Sequence, residues 1–364
     1  MDRTEFFEGI DLDERIKGDP EIHDIVGTEL PIMEFDFNDP TVDFDVVRKT
    51  MQYGNTVGGS EAANIMGVSQ YGGAFSSYSQ KMGLAPVPDI SDKDPVKLGK
   101  LYEDIVRQEA ELFLGGDNPD DVHIYKPNEM YRHPVHNWMT ASLDGIIHDR
   151  KSPYDRGLCE IKTTDSYQRL SQVRKGIIPE DWLMQMHHYA CFRIPEGYPG
   201  AGLPFTYVSL VVKQSVTKPC IVVTQPVDWD LCRRIIEAER EFVQRLETSD
   251  PPAPNGTEGD TEALKSLPMG EGVIEADDSY RDLHEAAKHA KKMREEYASE
   301  HQECVNMIRK KMSDQNVNKV LGIASMQTRK GMNNTMLKDK LRVHGLVHLM
   351  DECKVEGKPF IKLT

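Results

Sequence analysis

The residues best suited to chemistry lie in the segment MTASLDGIIHDRKSPYDRGLCEIKTTDSY, residues 139–167. Two short apolar runs flank a turn-rich centre at 149–157, a pattern that predicts a β-hairpin with Asp144 on the first arm and Glu160 on the second. Side chains alternate across a strand, so Glu160 and Lys162 face one way and Ile161 the other. Hard cations such as Mg2+, with Mn2+ as a substitute, take oxygen ligands; Asp144, Glu160 and the main-chain carbonyl of Ile161 form such a set. Lys162 then sits beside an attacking water. The chemistry that needs this set is hydrolysis of a phosphodiester, an anion that repels hydroxide until a cation neutralises its oxygens. An Asp followed at a distance by Glu-x-Lys is more often an ordinary strand with exposed charges, so the neighbouring segments decide.

Three neighbours bear on it. KLGKLYEDIVRQEAELFLG predicts an amphipathic helix with Glu103 near its start, where the carboxylate reaches a metal or merely complements the helix dipole. PEDWLMQMHHYACF predicts a second helix after Pro179, with Gln185 polar among Trp182, Met186 and Tyr189 and placed for the nucleophile or the phosphate. VGGSEAANIMGVSQYGG predicts a helix beginning at Glu61, where Ser60 caps the first turn, contacts a phosphate, or does both.

The elements that must position these residues occupy about Val46 to Leu246, where helical and strand patterns alternate as in an α/β layer architecture. Residues 1–45 are acidic and aperiodic and read as an extension, ordered in part at most; 46–250 read as the core, and SDPPAPNGTEGD opens a linker over 251–276. Residues 277–364 read as a basic appendage: one long helix from Asp277 to Ser313, a strand over 319–327, a helix over 337–352 and a strand over 359–363. No apolar stretch is long enough to span a bilayer, and the acidic start lacks the order of a secretory signal, so an intracellular, cytoplasmic protein is expected. The six cysteines form no CxxC pair, which argues against a zinc ribbon or an iron-sulfur cluster.

The 364 residues carry a formal charge of −16, which weakly disfavours a nucleic-acid partner. The distribution is polarised, however. Residues 1–50 hold fifteen acids against five bases, whereas 279–364 hold seventeen bases against eleven acids. The basic residues of the long helix, among them Lys291, Lys292, Arg294, Arg309, Lys310 and Lys311, suit contact with DNA or a second subunit, and equally suit a solvated face.

Taken in order, GGSEAANIMGVSQY, LGKLYEDIV, SLDGII, CEIKTT and WLMQMHHYACF resemble the run of motifs in the YqaJ-type viral recombinases, relatives of lambda exonuclease in the PD-(D/E)XK nuclease superfamily. The resemblance spans roughly residues 51–255. It implies an α/β (α+β) restriction-endonuclease-like core, a mixed sheet flanked by helices with the hairpin at one end. It implies Asp144 and Glu160 as metal ligands, Glu103 as the helix carboxylate of the same site, Lys162 as the catalytic lysine and Gln185 as the helix glutamine. Ser60 and Ser142 fall where the family places hydroxyls near the 5′-phosphate of a DNA end. Tyr53 stands where an arginine is often found, with Arg48 nearby, and Arg169 falls near the arginine expected after the lysine strand. The activity implied is a Mg2+-dependent 5′-to-3′ exonuclease that resects double-stranded DNA ends, encoded by a phage or prophage, assembled as a homotrimer and working with a single-strand annealing protein. A PD-(D/E)XK endonuclease and a catalytically silent end-binding scaffold are the alternatives.

Overall fold

The computed structural model describes residues 20–43, 46–47, 54–89, 93–116, 118, 121–150, 156–215, 217–268, 271–317, 319–320, 324–332 and 354–363. The chain divides into two compact units, 1–269 and 270–364.

The first unit is built on a mixed five-stranded sheet with the order β3-β6-β7-β8-β9: β3 (Val122–Tyr125), β6 (Gly145–Asp149), β7 (Arg156–Thr163), β8 (Tyr207–Lys213) and β9 (Ile221–Pro226). Only β7 and β8 run parallel, from Gly157 opposite Tyr207 to Thr163 opposite Lys213. Every residue of β8 is buried, as a central strand covered on both faces requires. The period-2 alternation of β7 sorts its side chains between two cores. Leu158 joins a cluster with Trp182, Met186 and Tyr189, while Cys159 and Ile161 join Val106 and Ala110 on the opposite face. The two covering helices come from the segments that the apolar spacing singled out. Helix α4 (Asp94–Gly115) covers the second face, and α6 (Glu180–Ala190) covers the first, with α5 (Tyr167–Val173) on the way from β7. Helix α7 (Trp229–Thr248) packs behind α6 through Cys232 and Ile236. The hairpin of β6 and β7 and the mixed, helix-flanked sheet are as the sequence led one to expect.

A second sheet, of order β1-β4-β5-β2, joins β1 (Ile32–Asp36), β4 (Glu129–Arg132), β5 (Met139–Ala141) and β2 (Val57–Gly58). Strand β2 leads into α2 (Gly59–Ile65), which is followed by α3 (Ala74–Lys81). The extension expected over 1–45, ordered in part at most, contributes a helix and a strand among its described residues. Helix α1 (Pro20–Val26) buries Ile22, Ile25 and Val26 in the main core, and β1 pairs with β4, where Arg132 grips Glu34 through two nitrogens at 2.5 and 2.9 Å. Three apolar residues at helical spacing outweigh the surrounding acids, because only they enter the core.

The stretch assigned to a linker also departs from expectation. Helix α8 (Glu258–Ser266) packs on α3, and its Asp260 is fully buried. Gly73 precedes α3 and has no side chain to cap it. Asp260 supplies the cap from outside: its Oδ1 accepts from the amides of Gly73 and Ser76, each at 2.9 Å, and its Oδ2 from Asn255 at 2.8 Å. A Cβ on Gly73 would lie 2.5 Å from Asp260 Oδ2, so the glycine and the carboxylate fit one another. Polar composition marks a loop only when the polar groups face water, and here one of them satisfies buried donors.

In the second unit, α9 (Asp278–Asp314) is a 37-residue helix capped by Asp277, whose carboxylate accepts from Tyr280 N at 3.1 Å. Its lysines and arginines are exposed, some in local pairs such as Lys310 with Asp314 at 2.7 Å. Strands β10 (Lys319–Val320), β11 (Ala324–Met332) and β12 (Lys354–Leu363) form an antiparallel sheet in that order. The helix expected over 337–352 lies outside the described residues.

Asp260→Ala takes from the buried Ser76 amide its acceptor and from the Gly73 amide one of two, and is expected to destabilise the first unit by about 1–3 kcal/mol, measured by urea denaturation, with Asp260→Asn losing less. A midpoint unchanged in the alanine variant would remove the capping role.

Candidate active site

The residues singled out by type and spacing converge on one groove of about 820 Å³ in the first unit; its walls include Ser60, Glu103, Ser142, Asp144, Glu160, Ile161, Lys162 and Gln185. Four elements deliver them. Asp144 lies at the mouth of β6, Glu160 to Lys162 lie toward the end of β7, Glu103 is on α4 and Gln185 on α6.

Asp144 is fixed by a backbone bond across the hairpin, from the Ile161 amide to its Oδ2 at 2.9 Å. Gly145 follows it because nothing larger fits: a Cβ there would meet Ile124 Cγ2 at 2.5 Å. The Glu160 side chain is 1% exposed, and Lys162 Nζ forms an ion pair with its Oε1 at 2.5 Å. Glu160 Oε2 is buried and receives no hydrogen bond. Lys162 Nζ also donates to Gln185 Oε1 at 2.9 Å, and Gln185 Nε2 donates to the Tyr189 hydroxyl at 3.3 Å.

Burial pushes the carboxyls of both Asp144 and Glu160 above their ordinary values, and for Asp144 the charge of Glu160 adds to the shift. Burial alone would lower Lys162, but the charges of Glu160 and Asp144 outweigh it and hold the ammonium above its usual value. A buried carboxylate short of donors, with a half-buried one beside it, forms a site whose charge a cation relieves.

A divalent metal fits these groups. Asp144, Glu160 and the Ile161 carbonyl are oxygen donors, Glu160 Oε2 has no donor of its own, and hard cations prefer such ligands. Glu103 shares the groove, and its charge adds to the upward shifts of Asp144 and Glu160; its carboxylate pairs with Lys126 at 2.8 Å, and the same ammonium lies 3.2 Å from Asp104. Among the described residues no three His, Cys, Asp or Glu side chains form a ready metal cage.

The two serines expected near a DNA end both line the groove. β2 runs parallel to β5 with Gly58 opposite Thr140, so the start of α2, with Ser60, and the Thr140–Ser142 segment leave the same strand pair. Ser60 is not the helix cap. Gly58 holds that position, and the Glu61 side chain accepts its amide at 3.1 Å. Arg169 corrects another expectation. Its guanidinium is held by Asp181 at 2.9 and 2.6 Å and lies 4.5 Å from the Trp182 ring, so it is committed to packing α5 on α6 and does not line the groove. Arg48 and Tyr53 lie outside the described residues.

Sequence reasoning missed the roles of Tyr189 and Lys126. Tyr189 carries the far end of the Lys162–Gln185 chain and lies under Gly59, where a Cβ would stand 2.5 Å from its ring. Its spacing of four from Gln185 on one helix face was a usable signal, whereas nothing in the sequence ties Lys126 to Glu103.

Residues 44–192 match the model of the YqaJ-like viral recombinase domain. The uncharacterized protein YqaJ of Bacillus subtilis (strain 168) is 31% identical over 140 residues, which cover 38% of this chain and 40% of the relative. The chain therefore spans about two fifths of the length of the curated relative that it matches. Among solved structures, the alkaline exonuclease LHK-Exo of Laribacter hongkongensis is similar with a TM-score of 0.40 at 15% identity, covering 54% of this chain and 90% of that one. LHK-Exo in complex with dAMP gives 0.41 at 16%, covering 56% and 92%. The likeness carried by the five segments is found again in these matches, which cover about two fifths of the chain.

A carboxyl whose pKa is higher folded than unfolded stabilises the fold only while protonated; its contribution is lost as pH rises through the ordinary values of 3.8 for Asp144 and 4.5 for Glu160. Without divalent ions at pH 8, Asp144→Asn and Glu160→Gln are therefore expected to melt above wild type, by about 2–4 °C per kcal/mol relieved. The gain should vanish near pH 4. Mg2+ or Mn2+ should raise the melting temperature of wild type and not of either variant. Variants that melt lower at both pH values would show that the carboxylates are not repelling one another.

Proposed function

We propose, on the match of residues 44–192 to the YqaJ-like viral recombinase domain, that this chain is a metal-dependent PD-(D/E)XK nuclease that digests double-stranded DNA from an end in the 5′-to-3′ direction. The observation that carries the reading is the meeting of Asp144, Glu160, Lys162 and Gln185 in one groove, reached from the hairpin and from α6.

Mg2+ or Mn2+ held by Asp144, Glu160 and the Ile161 carbonyl supplies Lewis acidity toward the scissile phosphate. The protein's own groups do the rest. Lys162 is kept cationic by the two carboxylates and aimed by Gln185, and it has N–H groups left for the attacking water or a phosphoryl oxygen. Gln185 in turn is kept in one amide orientation, because its oxygen faces the ammonium and its nitrogen the Tyr189 hydroxyl. Ser60 at the start of α2 and Ser142 after β5, both on the groove wall, suit the terminal phosphate of the strand being cut. Glu103 joins the site on release from Lys126. A homotrimer, a single-strand annealing partner and a role in phage-type recombination belong to the same reading.

Linearised plasmid should disappear in Mg2+ with early release of a 5′ label, while the covalently closed form of the same plasmid persists. Lys162→Ala and Glu160→Ala should each lower the rate by at least 10²-fold with the fold retained. Cutting of the closed circle would favour an endonuclease. Binding of ends without cutting, by a wild-type protein saturated with metal, would favour a scaffold.

A further inference from the structure

Behind the groove lies a set of fully buried polar residues that the proposed chemistry does not use. His188, on α6, is fully buried; its Nδ1 lies 2.7 Å from Glu239 Oε1 of α7 and its Nε2 lies 3.0 Å from the Thr140 carbonyl of β5. A carbonyl can only accept, so Nε2 carries a hydrogen toward Thr140. Glu239, itself fully buried, settles the other side of the ring: one proton lies between its carboxyl group and Nδ1, and the ring cannot adopt the tautomer that would turn a lone pair on Thr140. Burial alone would lower the His188 pKa, but the charge and hydrogen bond of Glu239 outweigh it and raise the value.

Thr140 is the residue on which the two turns of the groove depend. Its register partner is Gly58, its Oγ1 donates to the Val57 carbonyl at 3.3 Å, and Ala141 and Ser142 follow it along the groove wall. The facing turn is tied to a second ion pair. Glu61 accepts the Gly58 amide at 3.1 Å and lies 3.0 Å from Lys81 Nζ, whose side chain is 1% exposed. The charge of Glu61 is felt by both His188 and Glu239, so the two pairs adjoin beneath the same wall. A buried polar set of this kind adds little net stability over an apolar one, and its use is to fix one arrangement of the elements that it joins.

We propose that His188, with its tautomer set by Glu239, is a positioning residue that holds Thr140–Ser142 beside Gly58–Ser60 and thereby sets the grip of the groove on the terminal phosphate of a DNA strand. The part concerning DNA rests on the function proposed above; the part concerning the β5 segment does not.

Conservative variants separate the two bonds. In His188→Asn the amide stands near the place of Nδ1 and retains Glu239 while losing Thr140; in His188→Gln it stands near the place of Nε2 and retains Thr140. Glu239→Gln can still donate to Nδ1 and leaves the Nε2 hydrogen in place. The readouts are Kd for a 5′-phosphorylated duplex in Ca2+, KM and kcat for its digestion in Mg2+, and hydrogen exchange in peptides spanning 139–143. His188→Asn should raise Kd and KM at least tenfold with kcat within threefold, and should speed exchange at 139–143. His188→Gln and Glu239→Gln should stay within threefold of wild type in all of these. Equal loss of stability in both His188 variants, with Kd, KM and exchange at wild-type values in the folded fraction, would overturn the proposal. If wild type neither bound nor cut any duplex, the nuclease reading would fall. Exchange at 139–143 would then still decide the structural claim, supporting it if faster in His188→Asn than in His188→Gln and refuting it if the two were alike.

Discussion

The burial of two carboxylates at the mouth of one hairpin is the constraint to which the rest of the first unit answers. Glu160 is buried with an oxygen that has no donor at all, and Asp144 is half-buried beside it. Such a pair is tolerated only if the frame around it cannot collapse and if a cation is to hand. Lys162 supplies one cation from the same strand, and the oxygen donors left over suit a second.

The frame consists of a sheet covered on both faces and of helices that close the end of it. Because β7 alternates, one strand sends Leu158, Glu160 and Lys162 toward α6 and Cys159 and Ile161 toward α4, so that core and chemistry share the same eight-residue element. Gly145 and Gly59 allow the hairpin and α2 to approach Ile124 and Tyr189 more closely than any other residue permits. Precision at the groove therefore comes from packing and from backbone pairing, as a site on strands and helices requires.

Charge is distributed to match. The acids of the first unit that are buried each have a stated role, in the groove, in capping α3 or in the set around His188. The bases of α9 are exposed on a helix that belongs to a separate unit. A formal charge of −16 for the whole chain thus says little about the groove, where local arrangement governs what can approach.

The sequence by itself determined the hairpin, the amphipathic helices 94–115 and 180–190, and the types of residue that meet in the groove, because period-2 and period-3.6 patterns are local and the Asp, Glu-x-Lys set carries its chemistry in its side chains. It misjudged what depended on partners remote along the chain. Asp260 read as a linker acid until α3 supplied amides for it, and Ile22, Ile25 and Val26 were hidden in an acidic segment until the core enclosed them. Arg169 read as a phosphate ligand until Asp181 occupied it, and the ion pair of Glu103 with Lys126 was not visible at all. Only the tertiary structure could decide these, since hydrogen-bond and ion-pair partners are chosen by distance in space, and a sequence orders residues by distance along the chain.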